Sequence, residues 1–206
     1  KFSLLKLLAP GDVILVGIKS VKGNVLELSL EQEPEIQAAL VAVDPNTGYI
    51  KALVGGYDYT KSEFNRAINA LRQAGSAFKP VTYTVALDSG YSPSSIVQDL
   101  PTSFEGGRGL PNWVPHNYDG DFYGNLSLRD ALAYSRNVVT ARIVNDVGVD
   151  KVINFARELG VTSQMPRDLT LALGSLSISP LELTLCYGVF ANEGVRMEPI
   201  AIKYIT

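Results

Sequence analysis

The chain has 206 residues, roughly one domain and a further fragment. Its 46% apolar and 19% charged residues are those of a folded globular protein, which excludes disorder. A net charge of −3 offers no basic footprint for nucleic acid, and a single cysteine and a single histidine exclude a disulfide framework and any cysteine-rich or multi-histidine metal site. A Ser-His-Asp triad would have to pass through His116. No run reaches the roughly 18 apolar residues of a membrane span. The opening Lys1-Phe2-Ser3-Leu4-Leu5-Lys6 lacks a signal-peptide layout. It starts on Lys rather than Met, so a piece of a longer protein is expected.

In chain order, Val13–Val16 and Val25–Leu30 read as two strands around a turn at Lys22-Gly23-Asn24. That hairpin is too small for a core of its own, so residues 1–35 are expected to be a β-rich linker or the remnant of a small β-domain. Ala38–Val43 and Tyr49–Val54 form a second hairpin across Asp44-Pro45-Asn46-Thr47-Gly48, and Gly55-Gly56 closes it. After Gly75, apolar residues recur at helical spacing until Gly90. Residues 91–125 read as a long irregular loop, and such loops in compact domains are usually functional. Ser127-Leu128-Arg129-Asp130 resembles a capping box with Asp in place of Glu. Helices are predicted over 128–134, 137–147, 150–159 and 180–192, and a last strand over 199–205.

Chemistry concentrates at Ser76-Ala77-Phe78-Lys79, a Ser-x-x-Lys pattern. On a helix the two side chains share one face and can meet. A serine hydroxyl is a weak nucleophile until a base takes its proton, and a lysine whose pKa is lowered by burial or a second cation can serve. Gly75 permits a sharp entry, and Pro80 is tolerated only near a first turn. The helix must therefore begin close to Ser76, where free N–H groups favour a developing oxyanion. Ser3-Leu4-Leu5-Lys6 matches the same pattern with no such context and is read as chance.

Ser135-Arg136-Asn137 is the sole Ser-x-Asn of the chain and falls between two predicted helices. A short connection there presents both side chains to a cleft; alternatively Ser135 or Asn137 simply caps a helix.

The segment Arg72-Gln73-Ala74-Gly75-Ser76-Ala77-Phe78-Lys79-Pro80 closely resembles the active-serine segment of class A penicillin-binding proteins. Val54-Gly55-Gly56-Tyr57 and Phe64-Asn65-Arg66-Ala67 before it resemble the same family. So do Leu171-Ala172-Leu173-Gly174-Ser175 and Ser179-Pro180-Leu181-Glu182 after it. The likeness covers about residues 36–206. It departs at Ala74, where the family usually has Pro. It also lacks the family's third motif, Lys-Thr/Ser-Gly: Lys19-Ser20-Val21 and Lys61-Ser62-Glu63 both fail at the last position.

The resemblance implies an α+β fold of the serine β-lactamase and penicillin-binding transpeptidase kind, an antiparallel central sheet flanked by helices, incomplete here. Residues 36–206 would be the N-terminal portion of a transpeptidase domain. Ser76 would be the nucleophile toward peptidoglycan stem peptides ending in D-Ala-D-Ala, and β-lactam antibiotics would acylate it. Lys79 would be the base and Ser135 a proton relay to the leaving amine, while Asn137 would bind the substrate backbone. Further implied partners are the remaining C-terminal part of the domain, an upstream glycosyltransferase domain and a membrane anchor. The implied location is extracytoplasmic, and no metal or organic cofactor is implied.

A β-lactamase would need a carboxylate to activate water, yet Glu158 and Glu182 fall on predicted helices. A β-lactam sensor of the same fold, or an inactive fragment, is the other alternative. Trp113, Tyr118, Phe122 and Tyr123 either wall a peptide cleft or pin the loop, and Trp113 and Tyr123 are the candidates for substrate contact. His116 is expected to stabilise the loop by a hydrogen bond, Arg136 to meet solvent or a partner, and Cys186 to be buried.

Overall fold

The structure, a computed structural model, describes residues 7–106 and 111–205. Ser3 and Lys6 of the chance match, and Gly107 and Gly109 of the predicted loop, lie outside them. The chain divides into two compact units, Lys1–Gln37 and Ala38–Thr206.

In the first unit, strands β1 (Leu15–Lys22) and β2 (Val25–Glu31) pair antiparallel. The two-residue loop Gly23-Asn24 joins them, with Gly23 at φ 59. Val16, Ile18, Val21, Val25 and Leu28 stay exposed; two strands alone are too few to close a core.

The second unit begins with β3 (Leu40–Val43) and β4 (Ile50–Val54), an antiparallel hairpin. The Asp44 carboxylate accepts from the N–H groups of Asn46 and Thr47 and so shapes the turn. The strand expected over 199–205 is reduced to one bridge among the described residues. Ile200 exchanges bonds with Gly48 and Ile50 and the ladder goes no further.

Next come α1 (Arg66–Asn69), β5 (Arg72–Gln73), a 3-10 turn (Gly75–Phe78) and α2 (Lys79–Asp88). Residues 91–125 are not structureless. Strands β6 (Ile96–Asp99) and β7 (Gly124–Ser127) pair antiparallel and tie the neck of the excursion. Phe104 and Trp113 bridge within it. Each strand is four residues long and its partner lies far along the chain, so no local pattern announces the pairing.

Helices α3 (Leu128–Ala133), α4 (Asn137–Val147), α5 (Val149–Glu158) and α6 (Pro180–Ala191) fall within a residue or so of their predicted bounds. Ser127 caps α3 by accepting the Asp130 N–H, and its hydroxyl donates to the Asp130 carboxylate 2.6 Å away. A 3-10 turn (Leu169–Leu173) and β8 (Ser177–Ile178) separate α5 from α6. The helix α2 packs against α3, α4 and α5, while α6 lies against β3 and α1. Phe78, Val81, Val139, Ile143, Val144, Val152 and Leu171 fill the core between them. Cys186 is buried there, and burial pushes its thiol up to about 11. Among the described residues no helix is long and apolar enough to cross a membrane.

Candidate active site

The serine-bearing turn is braced from three sides. Strand β5 pairs with β8, and the ladder continues as Ala74 N–H donates to Leu176 O and Gly75 N–H to Gly174 O, both at 3.0 Å. Gly75 has φ 55, a backbone that glycine adopts at little cost. Gly174, at φ 64, lies so close that a Cβ on it would stand 2.1 Å from Gly75 O. From α6, the Tyr187 hydroxyl donates to Ala77 O at 2.7 Å. The alternation of burial then does the rest: Phe78 and Lys79 point into the interior while Ser76 is exposed. Pro80 sits in the first turn of α2, where its missing N–H costs no hydrogen bond.

The second wall is the α3–α4 junction. Ser135 N–H donates to Leu132 O and Arg136 N–H to Ala131 O, the paired bonds of a left-handed helix C-cap. The left-handed residue in that cap is normally glycine, yet here it is Ser135 at φ 54.

The lysine joins the two walls. Lys79 Nζ donates to Ser135 O at 2.6 Å, to Ser135 Oγ at 2.9 Å and to Asn137 Oδ1 at 2.7 Å. An ammonium has three hydrogens, and all three are taken. Ser135 Oγ in turn donates to Ser76 Oγ at 3.1 Å. The i, i+3 spacing predicts a direct Ser76–Lys79 meeting; in the structure their connection runs through Ser135. Burial pushes the Lys79 ammonium down to about 8, and the nearby Arg136 guanidinium adds to the effect.

Asn137 is oriented at both ends. Its Oδ1 accepts from Lys79, and its Nδ2 donates to His116 O at 2.9 Å. Its second amide hydrogen has no partner among the described hydrogen bonds. The His116 side chain is exposed; what that residue contributes is its backbone carbonyl.

Arg136 corrects an expectation. It is not at the surface but buried, 3% exposed. Its Nε donates to Asp99 Oδ2 at 2.8 Å, its Nη1 to Asp119 Oδ2 at 2.7 Å, and its Nη2 to Asp121 O. The Tyr123 ring centre lies 4.0 Å from the guanidinium carbon. The hydrogen bond from Arg136 holds the Asp119 carboxyl below the usual carboxylate range. Asn117 donates to Asp99 Oδ1 and accepts from the Asn137 and Val138 N–H groups, capping α4 from outside the helix.

The structure thus brings Ser76, Lys79, Ser135 and Asn137 into one hydrogen-bonded group. Tyr123 lies behind it against Arg136. Trp113 is turned toward the core, its ring 5.8 Å from that of Phe104. Asp99 and Asn117 escape sequence reasoning. The available signals are slight: an acid at an inward position of the alternating Ile96–Asp99 strand, and an Arg between two motif residues.

A model of the penicillin binding protein transpeptidase domain matches residues 38–206. The chain belongs to this family. Penicillin-binding protein 1A of Rickettsia conorii is 36% identical over 203 residues, 98% of this chain and 25% of that protein. Penicillin-binding protein 1A of Neisseria meningitidis is 42% identical over 187 residues, 90% of this chain and 23% of that protein. The crystal structure of penicillin-binding protein 1A from Haemophilus influenzae superposes with a TM-score of 0.83 at 36% identity, over 91% of this chain and 27% of that one. The chain therefore spans about a quarter of the length of the curated relatives it matches. The α+β fold is that of the penicillin-binding transpeptidases, and membership assigns the chain to a transpeptidase family of cell-wall enzymes.

Proposed function

We propose that Ser76 is the acyl-forming nucleophile of a serine D,D-transpeptidase that cross-links peptidoglycan stem peptides. The observation that carries this reading is the hydrogen-bonded line from Lys79 through Ser135 to Ser76. An amine titrating near 8 is already about one-tenth neutral at pH 7, so a base is available.

Neutral Lys79 has a lone pair, and the line can then run in the other direction. Ser76 gives its proton to Ser135 Oγ as Ser135 passes its own to Lys79 Nζ. Ser76 Oγ attacks the carbonyl between the two terminal D-alanines. The Ser76 N–H, in the first turn, stabilises the oxyanion. The proton returns from Lys79 through Ser135 to the departing D-alanine amine, leaving an ester on Ser76. The amine of a second stem peptide attacks that ester, forming the cross-link and restoring the serine hydroxyl. The free amide hydrogen of Asn137 holds the donor peptide backbone, and of the two loop aromatics proposed to offer it apolar contact, Tyr123 keeps an exposed face while Trp113 packs toward the core.

A β-lactam carries a carbonyl that the same Ser76 attacks, and the resulting ester is long-lived. Glu182 does not supply a water-activating base. Its carboxylate, half-buried, accepts from the N–H and hydroxyl groups of Thr162 and Ser163. Burial works to raise it, but those bonds outweigh burial and hold it low. A Lys-Thr/Ser-Gly strand, a glycosyltransferase domain and a membrane anchor are proposed for polypeptide beyond these residues, as the length of the relatives supports. The proposed location is the periplasm or the outer face of the cell membrane.

Intact-protein mass after incubation with benzylpenicillin tests the reading. One adduct is expected on the wild type and none on Ser76→Ala. A Ser76→Ala protein that gains the same adduct overturns it.

A further inference from the structure

One buried cluster takes no part in the proton path. Asp99 is 0% exposed and ends β6, whose alternation turns Val97 and Asp99 inward together. Its carboxylate accepts from Asn117 Nδ2 at 2.8 Å, Arg136 Nε at 2.8 Å and Tyr123 N–H at 3.0 Å. We propose that Asp99 is a positioning residue that, through Arg136 and Asn117, fixes the turn carrying Ser135 and Asn137 on Lys79. This rests on the acyl-enzyme reading of Ser76.

Two arms leave Asp99. The first is Arg136, whose three remaining anchors are Asp119, Asp121 O and the Tyr123 ring. Its sequence neighbours on either side are Ser135 and Asn137, so fixing its backbone fixes theirs. The second is Asn117, whose Oδ1 holds the first N–H groups of α4 at 2.9 Å and 3.3 Å. The adjoining His116 carbonyl holds the Asn137 amide. The two arms therefore close on the same turn from opposite ends.

Stability alone is a poor reason for this cluster. Desolvating an ion pair is costly, and apolar residues of similar volume often stabilise as well. What such a pair adds is a unique geometry. Ser135 needs it, because a non-glycine residue at φ 54 persists only where its surroundings over-determine it. Asp99 touches neither Ser76 nor Lys79 among the described contacts, so its action is indirect.

The test uses the full-length gene product and benzylpenicillin, separating the non-covalent binding constant from the acylation rate constant k2 by quenched flow. In Asp99→Asn one oxygen becomes an amide, and whichever way it turns a donor meets a donor. Its k2 is expected to fall at least 30-fold, with a smaller weakening of the binding constant through Asn137. Arg136→Lys keeps the charge but loses the fork, and k2 is expected to fall at least tenfold. Val161→Ala removes buried apolar atoms from a residue with no part in the site, and should lower Tm while leaving k2 within twofold. The proposal is overturned if Asp99→Asn, folded by near-ultraviolet circular dichroism, acylates at the wild-type rate. If Asp99→Asn does not fold, a wild-type k2 in Arg136→Lys overturns it. It also falls if Val161→Ala slows k2 as much at equal loss of Tm. A wild type that forms no adduct would sink the acyl-enzyme reading first, and so is distinguishable from each of these.

Discussion

Ser135 occupies a backbone position that chain sterics favour for glycine. With φ 54 it closes α3 in a left-handed cap, and its hydroxyl stands between Lys79 Nζ and Ser76 Oγ. A side chain in that conformation costs about 1–2 kcal/mol. The hydroxyl is what the cost secures, because glycine would make the same cap without it. Two substitutions separate backbone from chemistry. Ser135→Ala keeps the strain and loses the relay; Ser135→Gly relieves the strain and loses the relay. Acylation by benzylpenicillin should drop at least 100-fold in both, since either removes the hydroxyl that links Lys79 to Ser76. The glycine variant should be more stable than the alanine variant by about 1 kcal/mol in thermal melts. Equal stabilities would mean that the turn carries no strain. Retained acylation in either would mean that Lys79 reaches Ser76 without the relay.

At the scale of elements, the 3-10 turn bearing Ser76 is held by the strand pair β5–β8 and by Gly174 beneath it. Both facing glycines have positive φ, yet their surroundings differ. A Cβ on Gly75 meets nothing within 4 Å, while one on Gly174 meets Gly75 O at 2.1 Å. Gly75→Ala should therefore cost only the left-handed penalty, about 1 kcal/mol, and leave measurable acylation. Gly174→Ala must push the turn away. It should cost more than about 2 kcal/mol, by denaturant titration, and slow acylation far more than Gly75→Ala does. The reverse order would refute the bracing role. This contrast also shows what sequence can and cannot disclose. Helices α3 to α6 were legible because Ser127, Gly148, Gly160 and Pro166 punctuate runs of helical periodicity. That Ser76, Lys79, Ser135 and Asn137 would meet was legible because each sits in a short pattern with its own chemical reason. The two-residue strands β5 and β8 carry no periodicity at all. The pairing of β6 with β7, and the meeting of Asp99 with Asn117 and Arg136, depend on segments brought together by the fold. Arg136 consequently read as a solvent or partner contact when it is the charge at the centre of a buried network.

For the folded unit as a whole, the price of the site is a lysine kept where it is poorly solvated. Lys79 is 1% exposed, and burial with Arg136 lowers it from 10.5 to about 8. Below about pH 8 both the folded and unfolded forms are protonated, and the site costs on the order of 3 kcal/mol. Between about pH 8 and 10.5 the unfolded chain binds more protons than the folded one, so this contribution makes stability rise with pH. Cys186 and Tyr83 act oppositely. Burial raises the first from 9.0 to about 11 and the second from 10.0 to about 12, so the folded form holds their protons longer and stability drains as pH climbs past about 9. Subtracting a Lys79→Met variant removes these shared groups. The hydrogen bonds that methionine forfeits enter as a constant offset and leave the slope untouched. The stability of the variant minus that of the wild type should fall by roughly 2 kcal/mol from about pH 8 to 10, in chemical denaturation at each pH. A flat difference would mean an ordinary lysine that is almost wholly charged at neutral pH and cannot accept the serine proton. The rate constant for acylation reports on the same amine independently. If Lys79 is the base, k2 rises through the same midpoint near 8 as the amine loses its proton. A stability midpoint near 8 with a k2 that ignores it would keep the buried lysine and remove it from proton transfer.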